Sequence, residues 1–246
     1  MVESSKTKLS VIIPAFNEEM RLPRTLAQVS SYLNEQTYLS EVVVVNDGST
    51  DNTEGVVRNQ DFGSVSLKLL NHPDGLNHGK GASVRQGMLA ACGQYRLFMD
   101  ADNSTTLDQI ERFWPIFDDG FDVVVGSRAL KKSVIKRHQS FLKELAGRTG
   151  NIFVRVLAIP GIQDTQAGFK MFTSDAAEKI FPKQTIDGWG FDIEILAIAH
   201  SMGYRMREVP ITWINALGSK VKMGSYIEVL GEIWRIRRNL RSGLYK

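Results

Sequence analysis

The sequence predicts an α/β fold, a doubly wound and mainly parallel sheet with helices on both faces. Apolar runs of strand length alternate with segments of helical period through the first half of the chain, the order that parallel strands with helical crossovers produce. The runs are apolar at nearly every position rather than every second one, as strands buried on both faces require. Each run is followed by a polar or glycine-containing segment, where parallel sheets hold ligands, outside the carboxyl ends of their strands.

The elements follow in order. Leu9–Ala15 is β-branched and ends at Pro14-Ala15, a buried strand. Leu22, Leu26, Val29 and Leu33 recur at helical spacing over 22–33. Glu41–Asn46 is a second buried strand closed by Asp47-Gly48-Ser49, and Thr50 or Asp51 caps a short helix running to Arg58. Val65–Leu70 is a third strand. Gly79-Lys80-Gly81 opens a helix over 82–91, Tyr95–Met99 is a fourth strand, 107–117 a helix and Asp122–Val125 a fifth strand. The second half is less regular: a long helix over 140–157, a short strand over 168–172, helices over 175–180 and 191–201, a strand over 205–213 and a last helix over 226–240. No linker or repeat interrupts the chain, so 1–246 reads as one domain. Its regular α/β half spans about 8–128, its less regular half about 129–222 and a C-terminal amphipathic helix about 223–242.

Composition narrows the function. One cysteine, Cys92, excludes a disulfide framework and a Cys-rich zinc site, and the four histidines form no HExxH. Met1–Lys8 is polar and resembles no secretory signal, and no apolar run reaches 18 residues. The net charge of +3 hides an asymmetry, −7 over residues 1–125 and +10 over 126–246. A carboxylate-rich half joined to a basic half suits a site where a metal meets a phosphorylated ligand, or a face turned to anionic lipid; ordinary solvated charge explains much of it too. Aromatic residues are not interleaved with the basic ones as a nucleic-acid stacking platform needs, so no nucleic-acid partner is expected.

Five successive strand ends carry charge or glycine. Of these, Asp100-Ala101-Asp102 carries most chemistry. At strand periodicity the two carboxylates point to one side, and so close a pair repels unless a cation joins it. Mg²⁺ takes such oxygen ligands and completes its shell with water and substrate phosphate. A calcium loop fails, because Thr105 stands where its turn needs glycine; a capped helix start is the plainer alternative. Gly79-Lys80-Gly81 is not a P-loop, because Asp74 and Gly81 break the pattern, but Lys80 and Arg85 at a helix start suit an anion. Trp189 and Trp213 read as core aromatics, and Asp192 as a first-turn carboxylate of its helix.

The ordered set VIIPAFNEE, VVNDGSTD, GKGASVRQGM, DADNST, VVGSR, DTQAGFKMF, WGFDIEIL and VPITW…GSKV resembles the family 2 glycosyltransferases, from about Leu9 to Lys222. The DTQAGFKMF, WGFDIE and GSKV segments are most similar to the dolichyl-phosphate β-glucosyltransferase branch. The resemblance implies a GT-A fold, Rossmann-like, with a C-terminal acceptor-side extension. It implies that Pro14, Ala15, Phe16, Glu18 and Asp47 hold the nucleoside, with Lys80, Asp100 and Ala101 nearby. Asp100 and Asp102 would bind a divalent metal, Mg²⁺ or Mn²⁺, with Asp102 the firmer ligand. Arg128 would meet phosphate, Lys220 would close over the diphosphate, and the 164–170 loop with Gln166, together with Asp192, would border sugar and acceptor. One of Arg137, Lys143 and Arg148 would complete the acceptor-phosphate site. Two departures stand out: Ala167 replaces a frequent cysteine, and the N-terminal membrane span of eukaryotic glucosyl members has no counterpart here.

The reading is therefore an inverting, metal-dependent transfer of a sugar, glucose from UDP-glucose first, to a polyprenyl or dolichyl phosphate. The nucleotide sugar, the lipid and a membrane surface are its partners, its place is the cytoplasm, peripheral at the membrane face, and a homo-oligomer is compatible. A phosphate monoester is largely dianionic at neutral pH, so its oxygen attacks without a strong base, and the sequence offers no obvious catalytic histidine. The alternatives are a GDP-mannose-dependent mannosyltransferase and a non-catalytic nucleotide-sugar-binding protein. A sugar-phosphate nucleotidyltransferase would need a glycine-rich loop where Pro14-Ala15-Phe16-Asn17 stands.

Overall fold

Leu9–Ala15 forms β1, Ser40–Asn46 forms β2, Ser66–Asn71 forms β3 and Tyr95–Met99 forms β4. All four run parallel, in the order β3-β2-β1-β4. The crossovers are α1 (Leu22–Asn34), α2 (Thr53–Arg58) and α3 (Lys80–Ala90). The computed structural model describes residues 6–136, 159, 161–214 and 223–246. The expected helix over 140–157 lies outside them, as do Arg137, Lys143, Arg148 and Lys220.

Beyond β4 the sequence reading needs correction. The expected helix over 107–117 is a 3-10 turn, Leu107–Arg112, followed by a short α4, Trp114–Asp118. Pro115 explains the break: it donates no N–H and fits only the first turn of a helix. Next come β5 (Val123–Ser127) and β6 (Val134–Lys136), then β7 (Phe169–Thr173), α5 (Ser174–Ile180), α6 (Phe191–Ser201) and β8 (Met206–Pro210). The expected single strand over 205–213 is two. β8 belongs to the main sheet, whereas β9 (Thr212–Ile214) pairs with β6 in a separate two-stranded sheet. The change falls at Pro210-Ile211, where Ile211 N–H bonds Ser127 O at 3.2 Å. Helix α7 spans Met223–Ser242.

The full order is β3-β2-β1-β4-β7-β5-β8. β7 is antiparallel to both neighbours, β4 and β5. This reversal positions the site. An antiparallel strand brings the segment that precedes it, residues 164–168, to the edge where the parallel strands deliver the segments that follow them.

The alternation of side chains divides the core between the two faces of the sheet. Ile12, Val43, Val45, Phe98, Val125 and Phe172 pack against α3, α5, α6 and α7. Val11, Ile13, Val42, Val44, Leu97, Met99 and Val124 pack against α1 and α4. Along α1 the buried residues include the predicted Leu22, Leu26, Val29 and Leu33. The apolar stripe of α7 is covered by the domain itself: Ile233 and Ile236 are buried in the first of these clusters, with Val229 and Leu240 packed on it.

Candidate active site

At the end of β1, Ala15 is buried, Pro14 half-buried and Phe16 exposed over 37% of its surface. Asn17 takes a left-handed φ of 51°. Its side chain accepts the Thr50 N–H at 2.8 Å, while its own N–H donates to Ser49 Oγ at 2.9 Å. These bonds join the loops after β1 and β2 across the edge of the sheet. Glu18 is buried and ion-pairs with Arg21, whose Nε donates to it at 2.7 Å. The Glu18 carboxylate is therefore engaged within its own loop.

Asp47, at the end of β2, is equally engaged. Its carboxylate accepts from the backbone N–H groups of His78 (2.8 Å) and Gly79 (3.1 Å) and from Asn77 Nδ2 (3.1 Å). It thus fixes the loop that leads into α3. Gly48 lets that loop approach: with φ of 67°, a Cβ there would stand 2.5 Å from the Leu76 carbonyl carbon.

The carboxylates of the DxD segment do not extend a strand, contrary to the expectation. β4 stops at Met99, and residues 100–102 form a turn in which Asn103 N–H bonds Asp100 O at 3.3 Å and Asn103 takes φ of 54°. The turn is held at both sides: Asp100 N–H donates to Gly168 O at 3.1 Å, and Ala101 O accepts from Thr25 Oγ1 at 2.7 Å. Gly168 has no room for a side chain, since a Cβ would stand 2.1 Å from Asp100 Oδ2. Lys80 Nζ lies 2.6 Å from Asp100 Oδ1. Lys80, expected to attract an anionic ligand, thus binds the first carboxylate of the pair. Burial works against its charge, but Asp100, Asp192 and Asp102 together hold the ammonium above its ordinary pKa. Trp189 and Phe191 flank it, their ring centres 5.9 and 5.8 Å away.

Burial, and then the neighbouring Asp100 charge, push the Asp102 carboxyl up; the Ser104 N–H, 2.9 Å from Oδ1, partly offsets this. The Asp102 carboxyl, raised in this way beside Asp100, fits a divalent cation, whose charge would offset both causes. No cluster of three or more His, Cys, Asp or Glu side chains stands ready for a metal among the described residues. The donor set matches an ion held by one or two carboxylates that takes further oxygens from a diphosphate.

Arg128, just after β5, makes a fork with Asp164: Nε to Oδ2 at 2.7 Å and Nη2 to Oδ1 at 2.8 Å, with the Arg128 backbone N–H also on Oδ2 at 2.9 Å. Burial opposes each charge, yet the pair prevails, holding the guanidinium above and the Asp164 carboxyl below their ordinary ranges. Trp213 faces Arg128 from 5.5 Å. The fork leaves Nη1 and one N–H of Nη2 outside the Asp164 contact. Gln166 is exposed on the same loop. Trp189 and Trp213, expected in the core, are both half-buried beside site cations.

Asp192 lies in the first turn of α6 and is buried against Lys170 of β7, which it meets in an ion pair. Lys170 is fully buried and also donates to Ala167 O at 2.5 Å. Burial pushes the Asp192 carboxyl up and the Lys170 ammonium down, each shift opposed by the other's charge. Sequence reasoning placed Lys170 at the end of the 164–170 loop and missed its burial against Asp192, although a lysine inside the apolar strand FKMF was the signal. It also missed Arg21, which lies within electrostatic reach of Asp102 and Asp100, and Glu194. Glu194 accepts Thr185 N–H (2.9 Å), Ile186 N–H (2.8 Å) and Tyr245 OH (2.6 Å), fixing the segment whose Asp187 O receives Gly81 N–H at 2.7 Å.

The site thus gathers the loops after β1, β2, β4 and β5 and the loop before β7 around the Asp100/Asp102 turn. Residues 10–181 match the family model Glycosyl transferase family 2. The chain belongs to glycosyltransferase family 2. Among related enzymes, a dolichyl-phosphate β-glucosyltransferase of Dictyostelium discoideum is 36% identical over 251 residues, covering 97% of this chain and 76% of that protein. A human dolichyl-phosphate β-glucosyltransferase is 32% identical over 263 residues, with coverages of 99% and 79%. Among solved structures, glucosyl-3-phosphoglycerate synthase from Mycobacterium tuberculosis, in complex with Mg²⁺ and UDP, superposes with a TM-score of 0.66 at 17% identity, over 96% of this chain and 81% of that one. Mannosyl-3-phosphoglycerate synthase from Rubrobacter xylanophilus gives 0.69 at 18% identity, over 96% and 75%. The chain is a glycosyltransferase of GT-A fold.

Proposed function

We propose that this family 2 glycosyltransferase moves glucose from UDP-glucose to a polyprenyl or dolichyl phosphate, with inversion at the anomeric carbon. The observation that carries the reading is the 32–36% identity to dolichyl-phosphate β-glucosyltransferases over nearly the whole chain. The intact Asp100/Asp102 turn accords with catalysis rather than binding alone.

The chemistry requires control of charge more than proton transfer. A phosphate oxygen of the acceptor attacks the anomeric carbon; the new C–O bond forms as the bond to the diphosphate breaks, and its electron pair leaves with UDP. The acceptor is already anionic at neutral pH, so no strong base is needed. Pro14, Phe16, Glu18 and Asp47 border the nucleoside, the last two as fixed parts of their loops. Asp102, with Asp100, would hold a divalent metal, Mg²⁺ or Mn²⁺, which supplies Lewis-acid stabilisation of the leaving diphosphate. Lys80, held on Asp100, keeps that carboxylate in place. Asp164 orients Arg128, whose outer N–H groups face phosphate as a preorganised donor edge. Lys220 and one of Arg137, Lys143 and Arg148 add positive charge. Asp192, fixed by Lys170, borders the sugar. Because the acceptor is a lipid, the enzyme works peripherally at the cytoplasmic face of a membrane.

The test is a panel of nucleotide sugars incubated with polyprenyl phosphate and Mg²⁺ or Mn²⁺, with extraction of the glycolipid. UDP-glucose should give the fastest product, with β configuration at the new linkage. Faster turnover of GDP-mannose would overturn the glucosyl reading.

A further inference from the structure

The core-facing side of α7 is satisfied within the domain, yet the helix carries a second apolar feature on its other side. Ile233 and Ile236 are buried, and Asn239 is held inward by a 3.0 Å bond from Nδ2 to Tyr245 OH. One turn apart on the outer side stand Leu230, 56% exposed, and Trp234, 66% exposed. Arg238 follows at the next turn with its guanidinium 5.6 Å from the Trp234 ring, and Arg241 continues the same side. Arg235 flanks it, and Leu244 adds another exposed apolar side chain just beyond the helix. The one acid within 229–246 is Glu232, and its carboxylate is turned inward, accepting Gly190 N–H at 2.8 Å. The outer side of α7 thus combines an exposed indole and leucine with exposed arginines.

We propose that this outer side of α7 is the docking surface of the protein on an anionic lipid bilayer. Charge complementarity decides the occupant. A tryptophan takes the boundary between headgroups and acyl chains, and arginines on the same side meet lipid phosphates and snorkel from it. The placement also serves the proposed reaction, on which this inference rests for its purpose. Through Glu232, α7 is fastened to Gly190, between Trp189, which lies beside Lys80, and Asp192. A helix lying in the interface therefore brings the acceptor side of the site to the membrane that presents the lipid phosphate.

The experiment is co-sedimentation of the full chain with vesicles that contain no polyprenyl phosphate, either phosphatidylcholine alone or phosphatidylcholine mixed with phosphatidylglycerol. The anionic vesicles should bind the protein about tenfold better, and raised salt should remove that preference. Leu230→Gln with Trp234→Gln should lower binding about tenfold. The melting temperature and the rate on detergent-dispersed acceptor should stay unchanged, since neither side chain touches the site. Arg238→Gln with Arg241→Gln should weaken binding to anionic vesicles alone. Absence of binding, equal binding to both vesicles, or wild-type binding by the Leu230/Trp234 variant would each overturn the proposal. So would a dimer in lipid-free solution that this variant dissociates, because the face would then serve a second copy of the chain. Glycolipid synthesis in detergent is measured separately, so failure of docking and failure of the proposed reaction are distinguishable.

Discussion

Replacing Lys170 by Met separates the stability of the buried ion pair from the chemistry of the site. Lys170 is the second residue of β7, opposite Phe98 of β4 and Val125 of β5, with none of its surface exposed. Its ammonium meets the Asp192 carboxylate and Ala167 O in this interior. Methionine preserves the length of the stem and deletes the charge, leaving Asp192 buried with the more distant Lys80 and Arg128 to offset it. Removing one member of a buried pair costs about 3–5 kcal/mol, because the survivor keeps its desolvation penalty without its partner. For a domain of this size, about 2–4 °C of melting temperature accompanies each kcal/mol, which gives a drop of about 6–20 °C. The double variant Lys170→Met/Asp192→Leu removes both charges and should recover most of that loss. It should nevertheless remain inactive, since Asp192 borders the sugar in the proposed mechanism. Thermal and urea unfolding monitored by circular dichroism measure the first effect, and glycolipid synthesis measures the second. If the single variant lies within about 1 kcal/mol of wild type, or the double variant is no more stable than the single, the buried-pair argument fails.

Three further outcomes follow from the same geometry. Asp102→Asn keeps the shape of the turn while removing one charge, so turnover should fall by about 100-fold or more with an unchanged melting temperature; wild-type turnover at saturating Mg²⁺ or Mn²⁺ would remove Asp102 from the metal site. Gly168→Ala sets a methyl group 2.1 Å from Asp100 Oδ2, and the half-exposed carboxylate can swing aside, so folding should survive while Mn²⁺ affinity, followed by calorimetry, drops several-fold. Glu41 should contribute to the acid limb of stability, alongside the Asp164 carboxyl that Arg128 holds low. Burial alone would raise its carboxyl, but bonds from Cys92 N–H, Lys68 and Ser10 Oγ bring it down to about 2 from 4.5. A depressed carboxyl stabilises the fold above its unfolded pKa and loses that contribution as pH falls toward 2, on the order of 2–3 kcal/mol. Urea midpoints should therefore decline across that window in wild type and stay flatter in Glu41→Gln.

Much of this protein was legible in its sequence. The runs at 9–15, 41–46 and 95–99 are mostly apolar on both faces, and helical spacing along 22–33 marks the face that α1 buries, because periodicity is a local property that packing merely uses. The polar segments after the strands also pointed to the edge where the candidate site is gathered, since parallel strands deliver their carboxyl ends to one edge whatever their order in the sheet. Pro115 and Pro210 were visible too, but their effect depends on where each falls within an element, and there the expected boundaries were wrong.

The tertiary structure decided which charges meet. Nothing local in FKMF reveals that β7 inserts antiparallel between β4 and β5, and only that insertion sets Gly168 against Asp100 and Lys170 beneath Asp192. Arg128 finds Asp164 across 36 residues, and Lys80 finds Asp100 across a crossover, so two cations read from sequence as ligand contacts are also fixed supports of the site. The apolar stripe of α7 was equally plain in sequence, but whether it faced a membrane or the domain was not. The core takes Ile233 and Ile236, and it is Leu230 and Trp234, on the opposite side, that remain exposed. Periodicity tells which residues share a face; the partner of that face is set by sheet order and by contacts distant in the chain.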